Sequence, residues 1–262
     1  MRLVLFDIDG TLVSDGGAAR EAYAFALEKV YGYCTDLRRY DFSGRTDPQI
    51  THMVLGDAGL PAEEIDAAMP RLWEHYVAAL ERAAPGRVRV LPGVLALLET
   101  LAANERVMLG LLTGNIEAGA RVKLTNATHH PPLRGTLRLV SLAQGRLFSP
   151  QAGRRTLDIG EGRSLNDFFP FGAFGSDSPR REELPPIAVE RASRLNGHRF
   201  QARDVVIIGD SIYDIRCGVP HSATTIAIAS GKTATETLLA ENPDHFFASA
   251  EDHDALLAAI IG

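Results

Sequence analysis

The chain has 262 residues, 33 of them Asp or Glu against 27 Lys or Arg, a formal net charge of −6 and 45% hydrophobic residues. That balance argues against a surface built to neutralise nucleic-acid phosphates or anionic lipid, and favours a small-molecule partner. No uncharged apolar run approaches the ~18 residues of a membrane-spanning helix.

Arg2 is followed by Leu3-Val4-Leu5-Phe6-Asp7-Ile8-Asp9-Gly10-Thr11-Leu12, an apolar run that ends in two carboxylates, a glycine and a hydroxyl. The acids interrupt the run before a signal-peptide apolar region is complete, so no export signal is expected. Such a run predicts a buried strand of a parallel sheet, and in open α/β sheets ligands bind beyond the carboxyl ends of the strands. Period-two alternation turns Asp7 and Asp9 the same way, so two like charges converge unless a cation lies between or beside them; a metal is the simplest one. An EF-hand is excluded, because Leu12 and Ala18 stand where that loop needs Gly and Glu.

From 15 to 92 the pattern changes to helices without convincing strands, beginning with Ala18–Tyr31 and ending with 63–84, and reads as an inserted cap. In the last of these, Ile65, Met69, Leu72, Trp73, Tyr76 and Leu80 follow helical spacing as a packing stripe, and Pro70 is expected to kink or split the helix. Cys34 and Cys217, the only cysteines, match no metal-ligand spacing; a reduced, cytoplasmic setting is expected, with each thiol a small buried hydrophobe.

The segment 93–103, with Val94, Leu97, Leu98 and Leu101 on one face, predicts the next helix, and 107–112 a second buried strand ending in Thr113-Gly114-Asn115. A hydroxyl and a glycine backbone at a strand-to-helix turn can hydrogen-bond phosphate oxygens, although Thr-Gly-Asn is also an ordinary helix start. The pattern then breaks over 125–166, which holds His129-His130-Pro131-Pro132, scattered glycines, and Arg134, Arg138, Arg146, Arg154, Arg155 and Arg163 against few acids. A mobile insertion is expected there, and with no partner ligands at useful spacing the paired histidines read as a solvated loop.

Beyond it, 185–195 predicts a helix and 205–208 a third strand, ending in Gly209-Asp210-Ser211-Ile212-Tyr213-Asp214, which brings two more acids to the same sheet edge. Segments 225–228 and 245–247 complete the strands. Strands alternating with helices imply an α/β fold with a doubly wound parallel sheet, here with an inserted α-helical cap: core 1–14 and 93–262, cap 15–92.

Taken together, Asp7-x-Asp9-Gly10-Thr11, Thr113 and Gly209-Asp210-Ser211-x-x-Asp214 resemble the haloacid dehalogenase superfamily, specifically its Mg-dependent phosphatases, over all of the chain except 125–166. The cap resembles the type found in phosphoglycolate phosphatases and β-phosphoglucomutases, and Ser43-Gly44-Arg45-Thr46-Asp47 is similar to phosphatases of that subgroup. The resemblance implies that Asp7 is a nucleophile carrying a transient aspartyl phosphate, and that Asp9 protonates the leaving alcohol and then activates water. It assigns Mg²⁺ to the Asp7 carboxylate, the Asp9 carbonyl and the Asp210 carboxylate, with Asp214 in support. It gives phosphate binding to Thr113, Gly114 and Asn115, and the substrate's nonreacting end to Arg45. A basic residue should complete the set: within 175–184 Arg181 fits best by its spacing to Leu184, with Arg180 and Lys123 as alternatives. Pro220-His221-Ser222 departs from the small-residue ending common in relatives and leaves the length of the preceding helix open.

The implied activity is Mg²⁺-dependent hydrolysis of a small phosphorylated metabolite. The same Asp pair can instead return the phosphoryl group to a sugar, as in a phosphomutase. A non-catalytic binding protein of this fold, using the basic insertion against an acidic partner, is the remaining alternative. A dinucleotide dehydrogenase is disfavoured, since no Gly-x-Gly-x-x-Gly follows the first strand.

Overall fold

Leu3, Val4, Leu5 and Phe6 are all buried, because their strand lies inside a sheet covered on both faces. The structure, a computed structural model, describes residues 1–128, 136–137, 157–158 and 164–262. Its strands are β1 (Arg2–Phe6), β2 (Val13–Ser14), β3 (Arg89–Val90), β4 (Val107–Thr113), β5 (Thr136–Leu137), β6 (Leu157–Asp158), β7 (Gly172–Phe174), β8 (Val205–Gly209), β9 (Thr224–Ile228) and β10 (His245–Phe247). The helices are α1 (Ala18–Tyr31), α2 (Asp47–Asp57), α3 (Ala62–Ala83), α4 (Val94–Ala102), α5 (Glu117–Asn126), α6 (Leu184–Asn196), α7 (Ile212–Gly218), α8 (Thr235–Ala240) and α9 (His253–Ile261).

Six strands form one sheet in the order β10-β9-β8-β1-β4-β7, and every pairing in it is parallel. Alternation sorts their side chains into two cores. Val4, Phe6, Leu109, Leu111, Val206 and Ile208 pack with Leu97 and Leu101 of α4 and with Leu256 and Ile260 of α9. Leu3, Leu5, Leu112, Val205 and Ile207 pack on the other face with Ala188 and Ala192 of α6 and Cys217 of α7. This is the Rossmann-like α/β core expected from the alternating strands and helices. Each fully buried aliphatic side chain contributes about 1.5–3 kcal/mol, so this two-sided sheet is a stiff base for the loops at its edge.

The antiparallel ribbon β2–β3, with Val13 opposite Val90, carries the chain out to α1, α2 and α3 and back. Gly17 and Gly32, both in the left-handed region, bound α1; Thr46 caps α2 in a capping box with Gln49. In α3, Ile65, Leu72, Tyr76 and Leu80 are buried and Met69 and Trp73 pack beside them, as the spacing predicts. Pro70 does not split α3, which runs unbroken from Ala62 to Ala83; Pro70 and Asp66, whose carbonyl it leaves without a helical partner, both lie on the exposed side, where that group is not shut away from solvent.

Three other expectations need correcting or bounding. Cys217 is buried but Cys34 is exposed, because it lies after α1 in a stretch with no regular structure to pack it. β7 was not expected: a three-residue edge strand opening on Gly172 and following Pro170 carries too short a pattern to register. The expected insertion at 125–166, with His129 and His130, lies largely outside the described residues; within it, α5 ends at Asn126, β5 pairs antiparallel with β6, and Leu165–Phe168 forms a short 3-10 turn. Among the described residues no helix is long and apolar enough to cross a membrane.

Candidate active site

The carboxyl ends of β1, β4 and β8 are neighbours in the sheet, so the polar residues just beyond them converge. Asp7 N–H donates to the Ile208 carbonyl at 3.0 Å, which ties the first acid to β8. Gly10, at φ 82°, lets the chain turn where a Cβ would fall 2.3 Å from Asp210 Oδ2. The Thr11 hydroxyl faces Asp210 Oδ1 at 3.4 Å. Beyond β8, Ser211 caps α7 in a capping box: its N–H and hydroxyl both donate to Asp214 Oδ2, at 3.0 and 2.6 Å. α7 is only seven residues long and passes into a 3-10 turn at Val219–His221, which settles the length that the Pro220-His221-Ser222 ending left open.

Each of the two leading acids has its own cation. Arg181, in a 3-10 turn before α6, is 2% exposed; its Nη2 donates to Asp7 Oδ1 at 3.0 Å, to the Leu112 carbonyl at 3.3 Å and to Asp214 Oδ1. Lys123, on α5, donates to Asp9 Oδ2 at 2.5 Å and to Asn115 Oδ1 at 2.6 Å. The Asn115 amide in turn donates to Asp9 Oδ2 at 2.8 Å and to Thr113 Oγ1 at 2.9 Å. Arg180 turns outward and pairs with Glu183. The sequence posed Arg181 and Lys123 as alternatives, whereas the fold brings both in, one to each acid.

Burial raises the Asp7 pKa, against the pull of Arg181, and raises that of Asp9 against the pull of Lys123. Asp210 is pushed well above the usual carboxylate range by burial and then by the charges of Asp7, Asp214 and Asp9. Burial opposes the charges on Lys123 and Arg181, but the surrounding acids outweigh it and hold both pKa values above their ordinary ones.

One carboxylate oxygen from each of Asp7, Asp210 and Asp214 lies within 4.8 Å of the others. Oxygen donors of this kind suit a hard divalent cation such as Mg²⁺. Both Asp214 oxygens are engaged, by Arg181 and by Ser211, whereas the side-chain donors Arg181 and Thr11 meet Asp7 and Asp210 at Oδ1 alone. The residues therefore fit a cation held by Asp7 and Asp210, with Asp214 fixing Arg181.

The haloacid dehalogenase-like hydrolase family matches residues 1–219. The chain belongs to that family. Among solved structures it resembles a predicted phosphatase from Clostridium acetobutylicum (TM-score 0.67, 18% identity, 98% of each chain). It also resembles a hydrolase from Pseudomonas syringae (0.65, 19%, 100% of each) and a predicted phosphoglycolate phosphatase from Haemophilus somnus (0.64, 16%, 98% of each). At these identities the likeness is one of fold. No curated protein sequence matches the chain.

On this hydrolase core the segment Gly44-Arg45-Thr46-Asp47, entering α2, lies directly on the site. Thr46 Oγ1 donates to the Pro179 carbonyl at 2.7 Å, and Arg181 Nη1 donates to the Gly44 carbonyl at 3.1 Å. Gly114 and Gly175 admit the segment: a Cβ on Gly114 would sit 2.1 Å from the Arg45 carbonyl oxygen. The Arg45 guanidinium stacks over Tyr213 at 5.3 Å from the ring centroid, so this candidate substrate residue sits at the site's rim.

Sequence reasoning singled out Asp7, Asp9, Thr113, Gly114, Asn115, Asp210, Asp214 and Arg181, and the structure brings them together. It gave no role to Asp47, ranked Lys123 third, and did not mark Gly231, where a Cβ would strike Asp210 Oδ2 at 1.5 Å. Lys123 had a signal: it falls on the helical stripe with Gly119, Ala120 and Leu124, the buried face of α5, where a lysine needs a buried anion.

Asp47 is buried, and that burial pushes its pKa up to about 6, against Lys123 and the Ile116 amide. The folded protein thus keeps a proton that the unfolded chain releases between the ordinary value of 3.8 and about 6, so this group's contribution to stability is lost as pH rises through that window. Asp47→Asn has no such loss. Its stability relative to the wild type should rise by about 2–3 kcal/mol from pH 4 to pH 7. Urea unfolding at several pH values checks this, and a flat difference would contradict the assignment.

Proposed function

We propose that the protein is a Mg²⁺-dependent phosphatase acting on a small phosphorylated metabolite by two-step transfer through Asp7, with residues 15–92 forming a cap over a core of 1–14 and 93–262. The observation that carries this reading is the buried cluster of Asp7, Asp210 and Asp214, with Arg181 paired to Asp7 and Asp214, since such a site concentrates cation-binding oxygen beside one nucleophilic carboxylate. Asp7 attacks phosphorus; an Asp7–phosphorus bond forms as the bond to the ester oxygen breaks, and that oxygen takes a proton from Asp9. Water then attacks the phosphoryl group, Asp9 removes its proton, and Asp7 is released with inorganic phosphate.

Burial of Asp9 favours the protonated form needed first, while Lys123 and Asn115 stabilise the carboxylate needed second. Thr113 and the Gly114 amide supply donors to the equatorial oxygens, and Arg181 adds positive charge beside the nucleophile. Mg²⁺, held by the Asp7 and Asp210 carboxylates and the Asp9 carbonyl, would offset the negative charge shared by nucleophile and phosphoryl group.

Purified protein with Mg²⁺ and an aryl phosphate should release phosphate, and chelation should stop it. With a hexose 1-phosphate, free phosphate marks a hydrolase and an isomerised sugar phosphate a mutase. The two thiols are unpaired, which agrees with a reduced, cytoplasmic setting.

Gly231 gives a sharper test of the cation. A methyl group there forces Asp210 Oδ2 aside, so Gly231→Ala should raise the half-saturating Mg²⁺ concentration at least about tenfold, read by calorimetry as well as by activity. Unchanged Mg²⁺ binding would remove Asp210 from the ligand set.

A further inference from the structure

Asp47 is a buried acid to which the two-step chemistry above gives no task. It opens α2, on the inserted helical segment, yet its hydrogen bonds run to the core. Its backbone N–H donates to the Gly114 carbonyl at 2.8 Å, and its Oδ2 accepts the Ile116 N–H at 2.8 Å. These two bonds grip both ends of the turn from Gly114 to Ile116. Within that turn Asn115 holds Thr113 Oγ1 and Asp9, so what fixes the turn also fixes the hydroxyl and the acid.

A role confined to α2 does not account for this. An acid at the first position of a helix gains stability from its own helix's N–H groups while remaining in water. Asp47 is instead 9% exposed and bonded to the start of a different helix, α5. Around it Thr46 Oγ1 reaches the Pro179 carbonyl and Arg181 holds the Gly44 carbonyl, so the segment is seated against two separate core loops, 114–116 and 179–181.

We propose that Asp47 is a positioning residue: by accepting the Ile116 N–H it locks the Thr113–Asn115 turn in the geometry that holds the phosphoryl group, and so makes seating of the 44–47 segment a condition of turnover. The proposal rests on the phosphatase reading above. It assigns the inserted segment a part in transition-state stabilisation in addition to covering the site. A group that acts in this way lowers kcat and kcat/KM together, whereas a simple substrate contact raises KM.

The test uses the full-length protein, Mg²⁺ and an aryl phosphate, with inorganic phosphate as inhibitor. Asp47→Ala removes the acceptor and should lower kcat about 100-fold with KM little changed, since misplacement of a catalytic group by about 1 Å carries that scale of loss. It should also weaken inhibition by inorganic phosphate. Asp47→Asn keeps an oxygen for the Ile116 N–H and should restore kcat to within about tenfold of the wild type. If Asp47→Ala fails to fold, Asp47→Ser, tolerated at a helix start but too short to reach Ile116, replaces it and should show the same loss. The proposal is overturned if the truncated variant, folded by circular dichroism, keeps kcat within twofold, if only KM changes, or if Asp47→Asn falls as far as Asp47→Ala. A wild type that releases no phosphate from any ester counts against the phosphatase reading; in that case altered phosphate binding by Asp47→Ala, measured by calorimetry, decides the positioning role alone.

Discussion

Asp7→Asn should abolish phosphate release while leaving the protein at least as stable as the wild type. The amide is nearly the same size as the carboxylate and keeps an oxygen for the Arg181 Nη2 donor, at 3.0 Å in the wild type, so the fold has little reason to change. What it lacks is a nucleophilic oxygen able to form and release an acyl phosphate, and loss of a covalent nucleophile costs at least about 10³-fold in turnover. The stability side has the opposite sign. Asp7 is one of three buried acids with oxygens within 4.8 Å of each other, and its charge helps to push the Asp210 pKa up. Neutralising it relieves that repulsion. Phosphate-release assays, thermal unfolding and intact mass after incubation with substrate together check the expectation: no turnover, no loss of melting temperature and no mass increase of one phosphoryl group. Turnover by Asp7→Asn within tenfold of the wild type would eliminate Asp7 as the nucleophile.

Arg181→Met should destabilise the protein more than most single substitutions, by about 3–5 kcal/mol, because it strands buried carboxylates without their cation. Arg181 donates to Asp7 and Asp214 at once, and both acids are almost wholly buried, so no water is at hand to replace the guanidinium. Methionine fills much of the volume, so the destabilisation comes mainly from the lost charge and not from an empty cavity. Arg181→Lys should recover only part of the loss, since a single ammonium cannot also hold the Gly44 and Leu112 carbonyls that the planar guanidinium reaches. Combining Arg181→Met with Asp214→Asn removes one stranded charge and should be less destabilised than the sum of the single variants, measured as urea midpoints in a double-mutant cycle. Strict additivity would mean that the Arg181–Asp214 contact contributes nothing. Activity should fall as well, as Arg181 is the cation beside the nucleophile.

Much of the core was legible because its signals are local. A strand buried on both faces is a near-continuous apolar run, so β1, β4, β8 and the 225–228 part of β9 announce themselves, and the acids that close β1 and β8 follow their strands directly in sequence. Asp7, Asp9, Thr113, Asp210 and Asp214 are therefore legible in the sequence. β7 escaped because three residues beside glycine and proline give no periodicity, and unbroken α3 could not be foreseen from Pro70 because it depends on which face of the helix meets water.

By itself, then, the order of residues determined the parallel sheet, the helical segment inserted after β2, and which strand ends carry acids. Only the packed chain decided how those acids are neutralised: that Arg181 spans Asp7 and Asp214 at once, that Lys123 belongs to Asp9, and that Asp47 of α2 reaches the start of α5. The physical reason is range. Backbone preference and apolar periodicity act over a few residues, whereas a buried charge needs a partner in space, and the Asp7–Arg181 and Asp9–Lys123 pairs span 174 and 114 positions of sequence.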